Sequence, residues 1–139
     1  MKILTVFLDA NVLFSAAWKP KSKLLRLWRL KNVQLFTTPY AAEETGRNLE
    51  TDGQINRLKR IMKKTRKVPT VISDDKPDDI VLPDKDIPIF LAVRDNALNI
   101  LLTGDISHFG HYLGKTVEGV KILTPDDFLR QYANSHRKK

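Results

Sequence analysis

The chain of 139 residues has no cysteine, which excludes disulfides, thiolate catalysis and cysteine-bound zinc. It has no long apolar run: the longest fall far short of the roughly 18 residues that argue a membrane span. Nor does it open on a secretory signal, because Met1 to Leu8 runs into the carboxylate of Asp9 too soon. A soluble cytoplasmic protein without a membrane partner is the expectation. Acidic residues are the minority, 16 against 24 basic ones, giving a net charge of +8. A balance so far from zero speaks about partners, an anionic polymer or surface, and says little about fold. With 42% hydrophobic residues the chain is not disordered, and its length is that of one ordinary domain. That domain is expected over 1–133, with 134–139 as a basic, frayed tail.

The charge is unevenly placed. Lys19 to Lys31 carries Lys19, Lys21, Lys23, Arg26, Arg29 and Lys31 and no acid; Arg57 to Lys67 carries Arg57, Lys59, Arg60, Lys63, Lys64, Arg66 and Lys67. Arg137, Lys138 and Lys139 add a third cluster. Conversely, Asp74, Asp75, Asp78, Asp79, Asp84 and Asp86 crowd one stretch. Taken singly, a basic run is a solvated helix face. Basic faces together with clustered carboxylates fit a polyanion held near a metal site.

Ile3 to Leu8 is almost wholly apolar and suits a strand buried on both faces. Leu24, Leu27, Trp28 and Leu30 predict a helix over Lys21 to Lys31, Val33 to Thr37 a second strand, and Pro39 the first turn of a helix reaching about Glu50. Thr51-Asp52-Gly53 breaks it. Ile55, Leu58, Ile61 and Met62 form the stripe of a basic helix. Val68 to Ser73 reads as a third strand, Asp74 to Pro83 as a polar loop, Asp84 to Leu98 as a helix, and Asn99 to Thr103 and Val120 to Leu123 as further strands. Thr124-Pro125-Asp126-Asp127 starts a last helix. Strands alternating with helices predict an α/β domain, its mostly parallel sheet covered on both faces.

In such a sheet, ligands bind beyond the carboxyl ends of the strands, near a switch in strand order. Asp9 and Asp105 follow predicted strands, Asp86 opens a predicted helix, and Glu44 lies on the helix after the second strand. Four acids from four segments are therefore candidates for one edge. Gathering them costs free energy unless a cation neutralises them. Oxygen ligands favour a hard divalent ion, Mg²⁺ or Mn²⁺, which polarises a phosphodiester and activates water. The competing reading of an acid at a strand end is a helix N-cap.

Local sequences add a resemblance. Phe7-Leu8-Asp9-Ala10-Asn11-Val12-Leu13-Phe14-Ser15-Ala16 resembles the opening motif of PIN-domain proteins. Ala42 to Leu49, Asp84 to Val93, and Leu102-Thr103-Gly104-Asp105-Ile106-Ser107-His108-Phe109 are similar to the second, third and fourth motifs. The resemblance spans about Ile3 to Leu129. It implies a three-layer α/β/α sandwich around a mostly parallel sheet of about five strands, and a ribonuclease dependent on one or two Mg²⁺ or Mn²⁺ ions. It also implies the toxin of a type II toxin–antitoxin pair, with RNA as substrate, a cognate antitoxin and a homodimer as partners. By position, Asp9, Glu44, Asp86 and Asp105 become the catalytic, metal-binding quartet. Glu43 is the alternative to Glu44, since neighbours on a helix point about 100° apart, and Asp84 is the alternative to Asp86. Where some members carry a further acid, this chain has Ser107 and His108.

Asn11, Ser15, Thr103 and Arg47 are candidates for supporting or substrate contacts: Asn11 to orient a ligand, Thr103 to bond Asp9 or Asp105, Ser15 to touch a phosphate, Arg47 to pair with a carboxylate or hold substrate. Turn and cap bonding is the competing role for Asn11, Thr103 and Ser15. His108 is a ligand candidate or a loop-filling residue. Trp18, Trp28 and Tyr40 are candidates for base stacking, Trp28 alternatively for the core or a dimer interface. A catalytically inactive RNA- or protein-binding module is the rival function. A phosphatase of the haloacid-dehalogenase type would need a general acid two residues after Asp9, where Asn11 stands.

Overall fold

The computed structural model describes residues 2–71 and 76–132. Asp74, Asp75, the end of the expected third strand and the basic tail lie outside the described residues. Six strands form one sheet in the order β3-β2-β1-β4-β6-β5. These are β1 (Leu4–Leu8), β2 (Val33–Thr37), β3 (Arg66–Lys67), β4 (Ile100–Leu102), β5 (Thr116–Val117) and β6 (Val120–Leu123). All neighbours are parallel except β5 and β6. The helices are α1 (Ala10–Trp18), α2 (Pro39–Asn48), α3 (Asp52–Met62), α4 (Ile87–Asp95), α5 (Ile106–Phe109) and α6 (Pro125–Tyr132), with 3₁₀ segments over Lys23–Arg29 and Gly110–Tyr112. Among the described residues no helix is long and apolar enough to cross a membrane.

The layers follow from the two-residue period of the strands. Val6, Leu8, Ile100, Leu102 and Leu123 face a cluster with Val12, Leu13, Leu27, Leu58 and Phe128. Phe7, Leu101 and Ile122 face the opposite cluster with Ile87, Phe90, Leu91 and Phe109. Apolar side chains thus leave the central strands on both faces, and helices cover both. The result is the expected three-layer α/β/α sandwich, with six strands rather than about five.

The extra strand, β5, is only two residues long. It joins β6 through Glu118 (φ 47°) and Gly119 (φ 84°). Two consecutive positive φ angles make the turn that matches the twist of a two-residue hairpin. A glutamate at its first position hides the usual sequence signature.

Other elements are shifted from expectation. The third strand is Arg66–Lys67, not Val68 to Ser73. Val68 N–H still reaches the Thr37 carbonyl at 2.9 Å, but Pro69 has no N–H to extend the ladder. The Lys21 to Lys31 helix is a 3₁₀ segment, matching the period of three in Leu24, Leu27 and Leu30, all buried. Its Trp28 is also buried, and the indole N–H donates to Thr65 Oγ1 at 2.8 Å. The leucine–tryptophan stripe therefore belongs to the core, and the argument for a dimer through that stripe falls. The helix expected over Asp84 to Leu98 is shorter, Ile87–Asp95, because Asp84 and Lys85 lie in the turn that Asp86 N–H closes onto the Pro83 carbonyl at 2.9 Å.

Candidate metal centre

The strand order reverses between β1 and β4: the chain moves from β1 outward to β2 and β3, then returns to the other side of β1. A crevice opens beyond the carboxyl ends of strands at such a switch. Asp9 follows β1 directly, and Thr103-Gly104-Asp105 follows β4. A cavity of about 870 Å³ lies there, with Asp9, Asn11, Glu44, Asp86 and Asp105 in its walls.

Asp9 is the buried anchor of this edge. Its Oδ1 accepts from Ala10 N–H at 2.8 Å, so it also starts α1. Its Oδ2 accepts from Thr103 Oγ1 at 2.9 Å and from Asn11 Nδ2 at 3.1 Å. Thr103 Oγ1 in turn accepts from Asp105 N–H at 3.0 Å. Asn11 Oδ1 accepts from Gly104 N–H at 2.7 Å. These bonds tie the ends of β1 and β4 into one unit. A Cβ on Gly104 would come within 3.2 Å of Asn11 Oδ1, so glycine permits this close approach.

Burial pushes the Asp9 carboxyl above its ordinary pKa despite the Thr103 and Ala10 hydrogen bonds, and the charges of Asp86 and Asp105 add to the rise. Asp86 is pushed up chiefly by burial too, against the influence of His108. For Asp105, burial also raises the pKa, but bonds from the Ser107 hydroxyl (2.9 Å) and His108 N–H (3.1 Å) outweigh it, and the carboxyl lies below its ordinary value.

Asp86 occupies the N-cap position of α4 but makes no side-chain cap bond. Its carboxylate turns instead toward the crevice. His108 Nδ1 stands 2.7 Å from Asp86 Oδ2 and 2.7 Å from Asp105 Oδ2. Both are ion pairs when His108 is protonated, and neither has the angles of a hydrogen bond, so the partner of buried Asp86 Oδ2 and of His108 Nδ1 is ionic. An imidazolium between two carboxylates accounts for this cluster, and the same oxygens and nitrogen could instead hold a divalent cation. Asp86, Asp105 and His108 offer such atoms within 4.8 Å of one another. The donor set fits a divalent ion, and the imidazole nitrogen favours Mn²⁺ over Mg²⁺.

Of the other expected residues, Glu44 is half-buried and faces the cavity. Thr45 beside it donates to the Ala41 carbonyl at 2.8 Å, with the Ala10 carbonyl at the start of α1 a longer second acceptor at 3.2 Å. Glu43 is exposed, points away and pairs with Arg47 at 3.4 Å, so neither joins the centre. Asp84 is exposed and pairs with Lys76 at 3.3 Å. Ser15 is exposed and outside the cavity; its carbonyl accepts from the Ser22 hydroxyl. Lys85 is a wall residue that sequence reasoning passed over; its charge favours the ionised form of Asp86. Its only sequence signal is a place between two aspartates. Compared with protein-family models and with curated proteins, the chain matches none.

Proposed function

We propose that the protein is a metal-dependent endoribonuclease that hydrolyses RNA phosphodiester bonds with Mn²⁺ or Mg²⁺. The observation that carries this reading is the convergence of Asp86 Oδ2, Asp105 Oδ2 and His108 Nδ1 beside the buried Asp9 at the sheet's switch point. A divalent ion held by Asp86, Asp105 and His108 would polarise the phosphodiester and supply an activated water. Asp9, fixed by Thr103 and Asn11, would hold its carboxyl oriented in the wall of the cavity, where a bound cation would favour its ionised form. Glu44 adds a further carboxylate to the lining of the same cavity. Ser107 and His108 N–H hold Asp105 ionised and in position. The +8 charge supplies affinity for the RNA backbone.

The four sequence motifs that resemble PIN-domain proteins support the same chemistry and extend it: the chain is read as the toxin of a type II toxin–antitoxin pair, held inactive by an antitoxin. The rival is a module of the same fold that binds RNA or protein without cleaving. Incubation of unstructured RNA with the protein and Mn²⁺ separates them. Cleavage that stops with chelator and falls at least about 100-fold in Asp9→Asn and Asp105→Asn supports the nuclease. Folded protein that binds RNA and never cleaves it supports the module.

A further inference from the structure

A second concavity, of about 420 Å³, lies between the 3₁₀ segment and the end of α3, and shares no wall residue with the carboxylate cavity. Its walls include Arg29, Arg57, Arg60, Lys63 and Lys64, and contain no acid. Arg57 is partly committed: its guanidinium caps α1, donating to the Ala17 carbonyl at 3.0 Å and the Trp18 carbonyl at 3.3 Å. Arg29, Arg60, Lys63 and Lys64 have no ion-pair partner among the described residues. Like charges at helical spacing destabilise a helix, and the two lysines after α3 recover only part of that from the helix dipole. Such a cluster is favourable once an anion enters it.

The two concavities mark opposite ends of α1. Asp9 and Asn11 stand at its start, and Arg57 holds its last carbonyls. Between them lies an aromatic pair. Phe14 lines the carboxylate cavity, and its ring centroid is 5.1 Å from that of Trp18, which is 40% exposed. Asn11, Phe14 and Trp18 follow the i, i+3, i+7 spacing of one helix face. An exposed indole on a basic surface is a stacking platform for a base.

We propose that a single strand of RNA lies along α1, with one phosphate at the carboxylate cavity, a base stacked on Trp18, and the backbone beyond it seated in the Arg60–Lys63–Lys64 groove. This rests on the reading that RNA is the substrate. The nine residues of α1 span about 13 Å, so the two concavities are within reach of one short stretch of single strand. Duplex RNA keeps its base faces stacked inside and offers none to Trp18. An acidic peptide would satisfy the groove but gain nothing from the indole.

The test is binding of a labelled, unstructured 12-nucleotide oligouridine to the full chain in chelator, where no cleavage occurs. Trp18→Ala is expected to weaken binding about tenfold, with Trp18→Phe restoring most of it. Lys63→Gln with Lys64→Gln is expected to reduce the slope of log affinity against log salt by about 1.4, at about 0.7 per phosphate contact. Thermal melting checks that each variant is folded. Variants that bind as the wild type does, or an oligoglutamate of equal charge that binds as tightly as the RNA, would overturn the path. A chain that cleaves RNA with Mn²⁺ while its binding ignores these changes keeps the nuclease and loses the path. Binding that responds as expected without any cleavage keeps the path and loses the nuclease.

Discussion

At the scale of single residues, the carboxylates trade stability for function. Burial raises the Asp86 carboxyl above its ordinary value, so over a window above about pH 4 the folded chain holds a proton that the unfolded chain has released. Stability of the metal-free protein therefore falls as pH rises through that window. Asp86→Asn removes the buried charge, so the metal-free variant is expected to melt higher than the wild type at neutral pH and to lose any stabilisation by Mn²⁺. A lower melting temperature for the metal-free variant would show that the ion pair with His108 outweighs the cost of burying the carboxylate. Spacing and order in the sequence pointed to Asp9, Glu44, Asp86 and Asp105 as candidates, and the fold sets all four around one cavity. Sequence left Glu43 against Glu44 open, because helical phase alone cannot say which face meets α1. It gave His108 no preference either, since the contact with Asp86 joins segments 22 residues apart in sequence that only the fold brings together.

At the scale of elements, the long central strands and well-capped helices were legible. β1 is apolar at every position but Thr5 because both faces are covered, and Thr124-Pro125 starts α6 with Thr124 Oγ1 accepting from Asp127 N–H at 3.1 Å. The misplaced elements are short or obey a different period. Arg66–Lys67 carries no apolar signal: it is an exposed edge strand, and charge there discourages pairing with another chain. The 3₁₀ segment was read at the α-helical period. Beside its buried leucines, a chain of bonds ties it to α3, from Trp28 Nε1 to Thr65 Oγ1 and from Thr65 Oγ1 to the Ile61 carbonyl at 2.7 Å. Thr65→Val keeps the volume and strands the buried indole N–H. The expected cost is about 1–3 kcal/mol in urea denaturation, with the groove's RNA affinity reduced as its floor loosens. An unchanged unfolding midpoint would mean that the indole finds another acceptor.

At the scale of the whole molecule, charge and topology act together. The sheet's reversal between β1 and β4 concentrates acids in one crevice, while Arg29, Arg60, Lys63 and Lys64, without ion-pair partners among the described residues, gather beyond the far end of α1. These two groups give the surface along α1 a charge gradient, as the proposed RNA path requires. Affinity for single-stranded RNA is expected to fall steeply with salt, with a log–log slope of about −2 to −3 for three or four phosphate contacts. Salt-insensitive binding would contradict that account. The central claim is that Asp86, Asp105 and His108 form a divalent metal site, and calorimetric titration of the protein with Mn²⁺ tests it most directly. One Mn²⁺ per chain should bind to the wild type, at least about tenfold more weakly to His108→Ala, and not measurably to Asp105→Asn. A folded wild type that binds no Mn²⁺, or an Asp105→Asn variant that binds it equally well, would contradict the claim.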